Sequence, residues 1–241
     1  MQYISILSTI ITFIFAVAVF RRYNQRKGVY LLLWGLGLIF YGLGTFSEAV
    51  LAFTFSPFAL KVWYITGAML TAAWLGQGTV HLLVRKPRVA FTLTVILALV
   101  SVIAALLVLA APVDTAAAAA YDVNALASAQ YQDILVRSGG ITLLTILLNV
   151  YGTVTLVGGA IYSAYIFWRK HVLADRMVGN ILIAAGALFP AMGGSFLRAG
   201  LPDWLYLSEL FGVVLMYAGF VKATAYRPLA EPQGVASVST D

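Results

Sequence analysis

Residues 89–111 read VAFTLTVILALVSVIAALLVLAA, an apolar run without a single charge. Wound as an α-helix at 1.5 Å per residue, it extends about 34 Å, enough to cross a hydrocarbon layer roughly 30 Å thick. Working outward from this run, six more apolar stretches appear: residues 3–20, 29–53, 62–84, 139–167, 178–197 and 204–222. Most end at a basic or aromatic residue of the kind that anchors at a membrane interface. Of all 241 residues, 62% are hydrophobic and 10% charged, and the mean hydropathy is +0.94. A soluble domain carries about 25% charged residues, so a water-soluble enzyme of this size is excluded. The expected fold is an all-α integral membrane bundle of seven transmembrane helices over residues 1–227. The Pro- and Gly-containing segment 228–241 is expected to form a disordered cytoplasmic tail.

The basic residues set the expected orientation. Arg21, Arg22, Arg26 and Lys27 follow the first stretch; Arg85, Lys86 and Arg88 the third; Arg169, Lys170 and Arg176 the fifth; Lys222 and Arg227 the seventh. Twelve of the fifteen basic residues thus fall on one side, leaving Lys61, Arg137 and Arg198 near the other. By the positive-inside rule the N-terminus is outside and the C-terminus inside, in the cytoplasmic membrane of a prokaryote. No Lys or Arg precedes the first apolar run, which argues against a signal peptide. The net charge of +6 is this loop bias, so nucleic acid is not an expected partner. With no cysteine there is no disulfide framework, thiolate metal site or thiol nucleophile.

The longest connection, residues 112–138, is compatible with a short amphipathic helix over the outer mouth of the bundle. Val123, Leu126, Ala127, Tyr131, Ile134 and Leu135 recur at helical spacing, while Asp122, Gln132 and Asp133 can face water; Gln130 interrupts the apolar face. Internal symmetry is also visible. Gly37-x-x-Phe40-x-x-x-Gly44 in the second stretch recurs as Gly186-x-x-Phe189-x-x-x-Gly193 in the sixth, and Gly67 and Gly212 follow in the third and seventh. Two parallel three-helix units joined by a linker helix would give a 3+1+3 bundle.

Three charges mark the candidate site. Glu48 lies about 28 Å along its helix from the cytoplasmic start, Arg198 about 30 Å along its own, and Glu209 about 7 Å into the last, which brings all three to a similar depth. Each lies on a stripe of small residues: Gly37, Tyr41, Gly44 and Glu48; Ala187, Ala191, Gly194 and Arg198; Glu209, Gly212, Met216 and Gly219. Such stripes face neighbouring helices, so the charges are expected to point inward and to pair. The Glu48–Arg198–Glu209 cluster is either a salt-bridge staple or the polar floor or gate of a ligand cavity, with Tyr206 and Ser195 one turn away. Its excess of one negative charge suits a small polar or cationic ligand. An inner polar set, Asn149, Gln77 and His81, is expected to bridge helices by hydrogen bonds or to line a proton or substrate path. Pro190 is expected to bend the sixth helix.

Several functions fail on residue placement. The five lysines sit at expected helix ends or in loops, which excludes a retinal Schiff base within the bundle. Only His81 and His171 exist, too few and wrongly placed for a haem pair or for a base serving Ser195. Neither a phosphate-cradling glycine loop nor a metal-ligand cluster is present, so no cofactor, metal or enzymatic reaction is expected.

Residues 59–67, Ala-Leu-Lys-Val-Trp-Tyr-Ile-Thr-Gly, follow the helix that carries Trp34 and Glu48. This region resembles the third-helix entry of the seven-helix membrane sensor region of bacterial histidine kinases, over about a fifth of the chain. The resemblance implies an N-out seven-span layout and signal detection across the membrane. The sequence contains no kinase or cyclase output domain, so output is expected to pass through a membrane-protein partner. The 3+1+3 plan is also similar to that of microbial rhodopsins and sugar-efflux carriers. The expected function is a non-enzymatic, sensor-like module for a small ligand. The alternatives are a small transporter with two three-helix halves and an accessory subunit of a larger membrane complex.

Overall fold

The structure, a computed structural model, describes residues 2–170, 174–192 and 203–224. Among these residues it is all-helical, and the one extended pairing is an isolated antiparallel bridge between Val113 and Leu135. The helices are α1 (Gln2–Arg26), α2 (Val29–Leu51), α3 (Pro57–Leu83), α4 (Pro87–Ala110), the short α5 (Thr115–Ala119) and α6 (Ala127–Ile134), α7 (Gly139–Arg169), α8 (Ala174–Ala191) and α9 (Asp203–Thr224). Six of them, α1 to α4, α7 and α9, are long and apolar enough to cross a membrane. The chain is therefore a multi-pass membrane protein in architecture. The expected tail and part of the 178–197 stretch lie outside the described residues.

Helix boundaries follow local chemistry. α3 begins at Pro57, ahead of its apolar run, because Ser56 caps it. The Ser56 Oγ accepts from the Ala59 N–H at 3.3 Å, and Pro57 occupies the first turn, where its missing N–H costs nothing. Lys61 consequently lies inside the helix, where its Nζ donates to the Leu109 carbonyl of α4 at 2.8 Å. α1 continues through its basic residues to Arg26, since positive charge suits a helix C-terminus. It ends at Lys27, which adopts φ 52°, the left-handed conformation usual for a terminating glycine.

The long helices close into a ring. α1 packs on α2, α2 on α3, α3 on α7, α7 on α8, α8 on α9, and α9 returns to α1, while α4 lies outside against α3 and α7. One face of α4 is bare: Leu99, Val102 and Leu106 are each about 60% exposed. A continuous apolar surface of this kind marks a face covered by lipid or by another protein.

The buried apolar side chains gather in two cores. One gathers Leu60, Tyr64 and Met69 of α3, Ala104 and Val108 of α4, Ile134 and Leu135 of the connection, and Ile141 and Leu148 of α7. The other gathers Phe15 and Val19 of α1, Leu31 and Leu38 of α2, Leu156 of α7, Ala184 of α8, and Val213 and Phe220 of α9. The 112–138 connection folds as two short helices. Its ends are tied by the Asp114 N–H to the Ile134 carbonyl at 2.9 Å and the Val136 N–H to the Pro112 carbonyl at 3.1 Å. Leu126, Ala127, Ile134 and Leu135 are buried beneath it and Gln132 and Asp133 are exposed, following the sequence pattern. Gln130 does not spoil the apolar face. It turns back, accepting from the Asp122 N–H and donating to the Asp122 carbonyl, both at 2.9 Å, and so closes the loop before α6.

Two interruptions shape the middle of the ring. Residues Tyr64–Leu70 of α3 and Val154–Gly158 of α7 are π-helical, a widened turn that often marks a functional position. Close glycine contacts surround both. A Cβ on Gly44 of α2 would lie 2.8 Å from the Gly67 Cα of α3, and one on Gly152 of α7 would lie 2.5 Å from the Ala72 carbonyl oxygen.

Candidate functional site

A cavity of about 330 Å³ lies at the junction of the two cores. α2 contributes Tyr41, Gly44, Thr45 and Glu48; α9 contributes Leu205, Glu209 and Met216. Trp63, Gly67 and Ala68 come from in and beside the first π segment, Leu156 and Val157 from the second, and Pro190 from α8. α6 closes one end through Ser128 and Tyr131. Among the described lining residues there is no Lys, Arg or His.

Glu48 is fully buried at 1% exposure. Its carboxyl and that of Glu209 adjoin closely enough for one to hydrogen-bond the other when a proton is present. Ser5 of α1 donates weakly to Glu48 Oε2 at 3.5 Å, and Tyr41 donates to the Glu209 backbone carbonyl at 2.9 Å. The remaining oxygens, Glu48 Oε1 and Glu209 Oε2, are shielded and have no hydrogen-bond partner among the described residues. A buried acceptor left unpaired is costly, and two adjoining carboxylates also require a counter-charge. The arrangement therefore calls for a proton or a cation at these oxygens.

The structure thus brings Glu48 and Glu209 together at one wall. Tyr206 is buried one turn away, in electrostatic reach of both acids and in contact with the Ala127 backbone. Arg198 and Ser195, the other members of the expected cluster, lie outside the described residues. The inner polar set divides. Asn149 lines the cavity, its Nδ2 donating to the Ala68 carbonyl of the π segment at 2.7 Å and to the Thr145 carbonyl at 2.8 Å. Gln77 and His81 instead meet Thr94 of α4 at 2.8 and 2.7 Å. Gln77 Nε2 also donates to the Ala90 carbonyl at 2.9 Å, and Tyr151 donates to Gln77 Oε1. These side chains bridge α3, α4 and α7 rather than line the cavity.

Sequence reasoning missed three contributors. Ser5, Ser8, Thr9 and Thr12 form a buried polar stripe on α1, and Thr9 donates to Thr45 of α2 at 3.0 Å. Their helical spacing was the available signal. Trp63 and Tyr131 meet edge to face with ring centroids 5.3 Å apart, a contact between distant parts of the chain that no local pattern encodes. Arg137 lies over the same cluster, 4.8 Å from the Tyr131 ring centroid and 5.8 Å from that of Tyr64. It fastens α6 to α3 through cation–π contacts.

Fold and site together define a multi-pass helical membrane protein with an acid-walled, aromatic-capped cavity inside its bundle. No family model matches the chain, and neither a curated protein nor a solved structure is significantly similar to it.

Proposed function

We propose that the chain is a non-enzymatic, sensor-like membrane module that binds a small ligand in the Glu48–Glu209 cavity and signals through a membrane-protein partner. The observation that carries this reading is the cavity itself, about 330 Å³ and mostly apolar, with two carboxyl oxygens in its wall that have no partner among the described residues. That size and lining fall within the usual range for small-molecule sites. The Trp63–Tyr131–Arg137 contacts join the cavity to the surface connection, a route by which occupancy changes the exposed face of the bundle. Mass spectrometry of natively purified protein is the test. A stoichiometric small molecule, lost in Ala187→Phe, supports the reading; an empty cavity in cells sinks it.

The wider layout belongs to the same proposal. Seven crossings follow if the 178–197 stretch also spans, and twelve basic residues on one side favour N-out and C-in in a prokaryotic cytoplasmic membrane. A reporter fused after Arg227 is then active in the cytoplasm and inactive outside. The peripheral α4 suits a linker between two three-helix units, and equivalent helices meet at glycines in both, Gly44 on Gly67 and Gly186 on Gly212. The second contact falls two turns from the position that the repeat assigns it.

A transporter is the second reading, favoured by one observation. Both π segments and Pro190 border the cavity, and such interruptions are where helices bend. Movement of a labelled ligand by the protein alone in liposomes would select the transporter; binding without movement selects the sensor.

A further inference from the structure

Resting on the small-ligand reading of this cavity, we propose that its ligand is an organic ammonium cation whose charged nitrogen sits at Glu48 Oε1 and Glu209 Oε2 and whose carbon body fills the aromatic and aliphatic remainder. Four lines of chemistry lead there.

The first is charge. The two orphaned acceptors belong to acids, and no basic side chain lines the cavity among the described residues. An ionised carboxyl pair repels an anion, and beside a neutral ligand it has no counter-charge among the described residues other than a proton that the two acids share.

The second is coordination number. Calcium takes six to eight oxygens and magnesium a near-octahedral set. Beside the two acids the described lining offers only neutral oxygens, the hydroxyls of Tyr41, Thr45, Thr71, Ser128, Tyr131 and Thr153 and the Asn149 amide, while Leu75, Leu156, Val157, Leu205 and Met216 supply no side-chain oxygen ligands. A single metal ion would also leave most of the 330 Å³ without matching contacts. An alkylammonium head has a larger, softer surface and needs fewer oxygen partners.

The third is the aromatic content. Trp63 and Tyr41, both less than one-tenth exposed, line the cavity together with Tyr131. Aromatic rings beside carboxylates are the chemistry that holds quaternary and substituted ammonium groups. Arg137 already lies over Tyr131, which shows that this cluster accepts a cation. Trp63 and Tyr41 are the other two aromatic rings among the described lining residues.

The fourth is the apolar balance. Leu75, Leu156, Val157 and Met216 face a ligand that carries carbon as well as charge, where displacement of water favours binding.

The test uses the full-length protein in detergent at constant ionic strength. Tetramethylammonium, choline and butylamine are titrated while the unfolding midpoint and tryptophan fluorescence are followed, with dimethylbutanol and butanol as the uncharged counterparts of choline and butylamine and sodium chloride as the inorganic control. At least one organic cation is expected to bind saturably, about tenfold or more tightly than its uncharged counterpart. Glu209→Gln and Trp63→Leu are each expected to weaken it by about tenfold. If a variant does not fold, the comparison of cation with counterpart on the wild-type protein decides alone. Equal binding of charged and uncharged compounds, or protection by sodium alone with no organic cation binding, overturns the ammonium assignment. A small molecule of another class found by native mass spectrometry overturns it too, while leaving the cavity as the binding site. If none of the compounds binds, native protein carries no small molecule and Ala187→Phe changes nothing, the binding-site reading itself falls.

Discussion

Gly186 of α8 and Gly212 of α9 face each other at backbone distance: a Cβ on Gly186 would lie 2.6 Å from the Gly212 carbonyl oxygen, and one on Gly212 would lie 2.8 Å from that of Gly186. Two turns away Gly179 and Gly219 repeat the relation, with corresponding distances of 2.6 and 2.5 Å. The two helices run antiparallel with four glycines forming the seam, so van der Waals contact between backbones replaces side-chain packing.

A substitution in that seam meets main chain, which cannot swing aside. Gly186→Val is expected to cost about 1–3 kcal/mol or more, the range typical of overpacking, measured as loss of thermal stability in detergent. Gly158→Ala is the matched control, because nothing lies within 4 Å of its added Cβ. In a helical position that change is expected to be neutral or mildly stabilising. Equal effects from the two would mean that α8 and α9 are not held by this contact.

The legibility of the fold in the sequence follows the same division between local and distant causes. Composition and loop charge mark the apolar runs, because lipid imposes length and hydrophobicity on each helix separately. The inward faces of Glu48 and Glu209 were legible too, through Gly44 and Gly212 on their stripes. The π segments were not, since they lie where other helices press on the backbone at Gly67 and Gly152 and carry no residue pattern of their own. Nor was the cap of the cavity, where Tyr131 finds Trp63 only after residues 112–138 have folded back on α3.

The Gln77 bridge makes a second prediction. Gln77 is 0% exposed, with both amide atoms engaged by Ala90, Thr94 and Tyr151. Hydrogen bonds between membrane helices contribute about 0.6 kcal/mol on average and about 1.7 kcal/mol at most. Gln77→Leu is thus expected to cost about 1–3 kcal/mol, including the orphaned partners. The combination of Gln77→Leu, Thr94→Val and Tyr151→Phe is expected to cost less than the sum of its parts, because members of one network do not act independently. Unfolding measurements on the single and triple variants check this, and strict additivity would dissolve the network.

Tyr121 offers a spectroscopic prediction. Its hydroxyl donates to the Leu51 carbonyl at 3.2 Å, its ring packs on Phe55, and burial above all, with Glu48 and Asp122 acting in the same direction, pushes its pKa up to about 12. The group is raised in the folded protein, so its contribution to stability is whole below about pH 10 and is lost as pH climbs to about 12. Comparing tyrosinate absorbance of the wild type with Tyr121→Phe isolates this one titration. A missing component centred near the ordinary tyrosine value of about pH 10 would show that residues 112–138 do not hold Tyr121 against α2.

The last prediction concerns Asn149, where the polar and the π-helical features of the cavity meet. Its Nδ2 reaches across to the Ala68 carbonyl inside the first π segment, and Thr71 Oγ1 donates at 2.7 Å to the Thr66 carbonyl of the same segment. A widened turn presents its carbonyls less regularly to the helix's own N–H groups, so side-chain donors from within and from α7 help to satisfy them. Asn149→Leu keeps the volume but removes the donor, and is expected to cost about 0.6–1.7 kcal/mol. Asn149→Asp keeps the shape but places a third acid in a cavity that already holds Glu48 and Glu209, so it is expected to cost more than Leu does at neutral pH. The order of the two variants carries the argument: helix bridging alone penalises loss of the donor about equally, whereas an acid-walled cavity penalises the added charge further. Thermal unfolding of both proteins in the same detergent decides it. An Asp variant as stable as the Leu variant would mean that the carboxyl pair and Asn149 do not share one electrostatic environment.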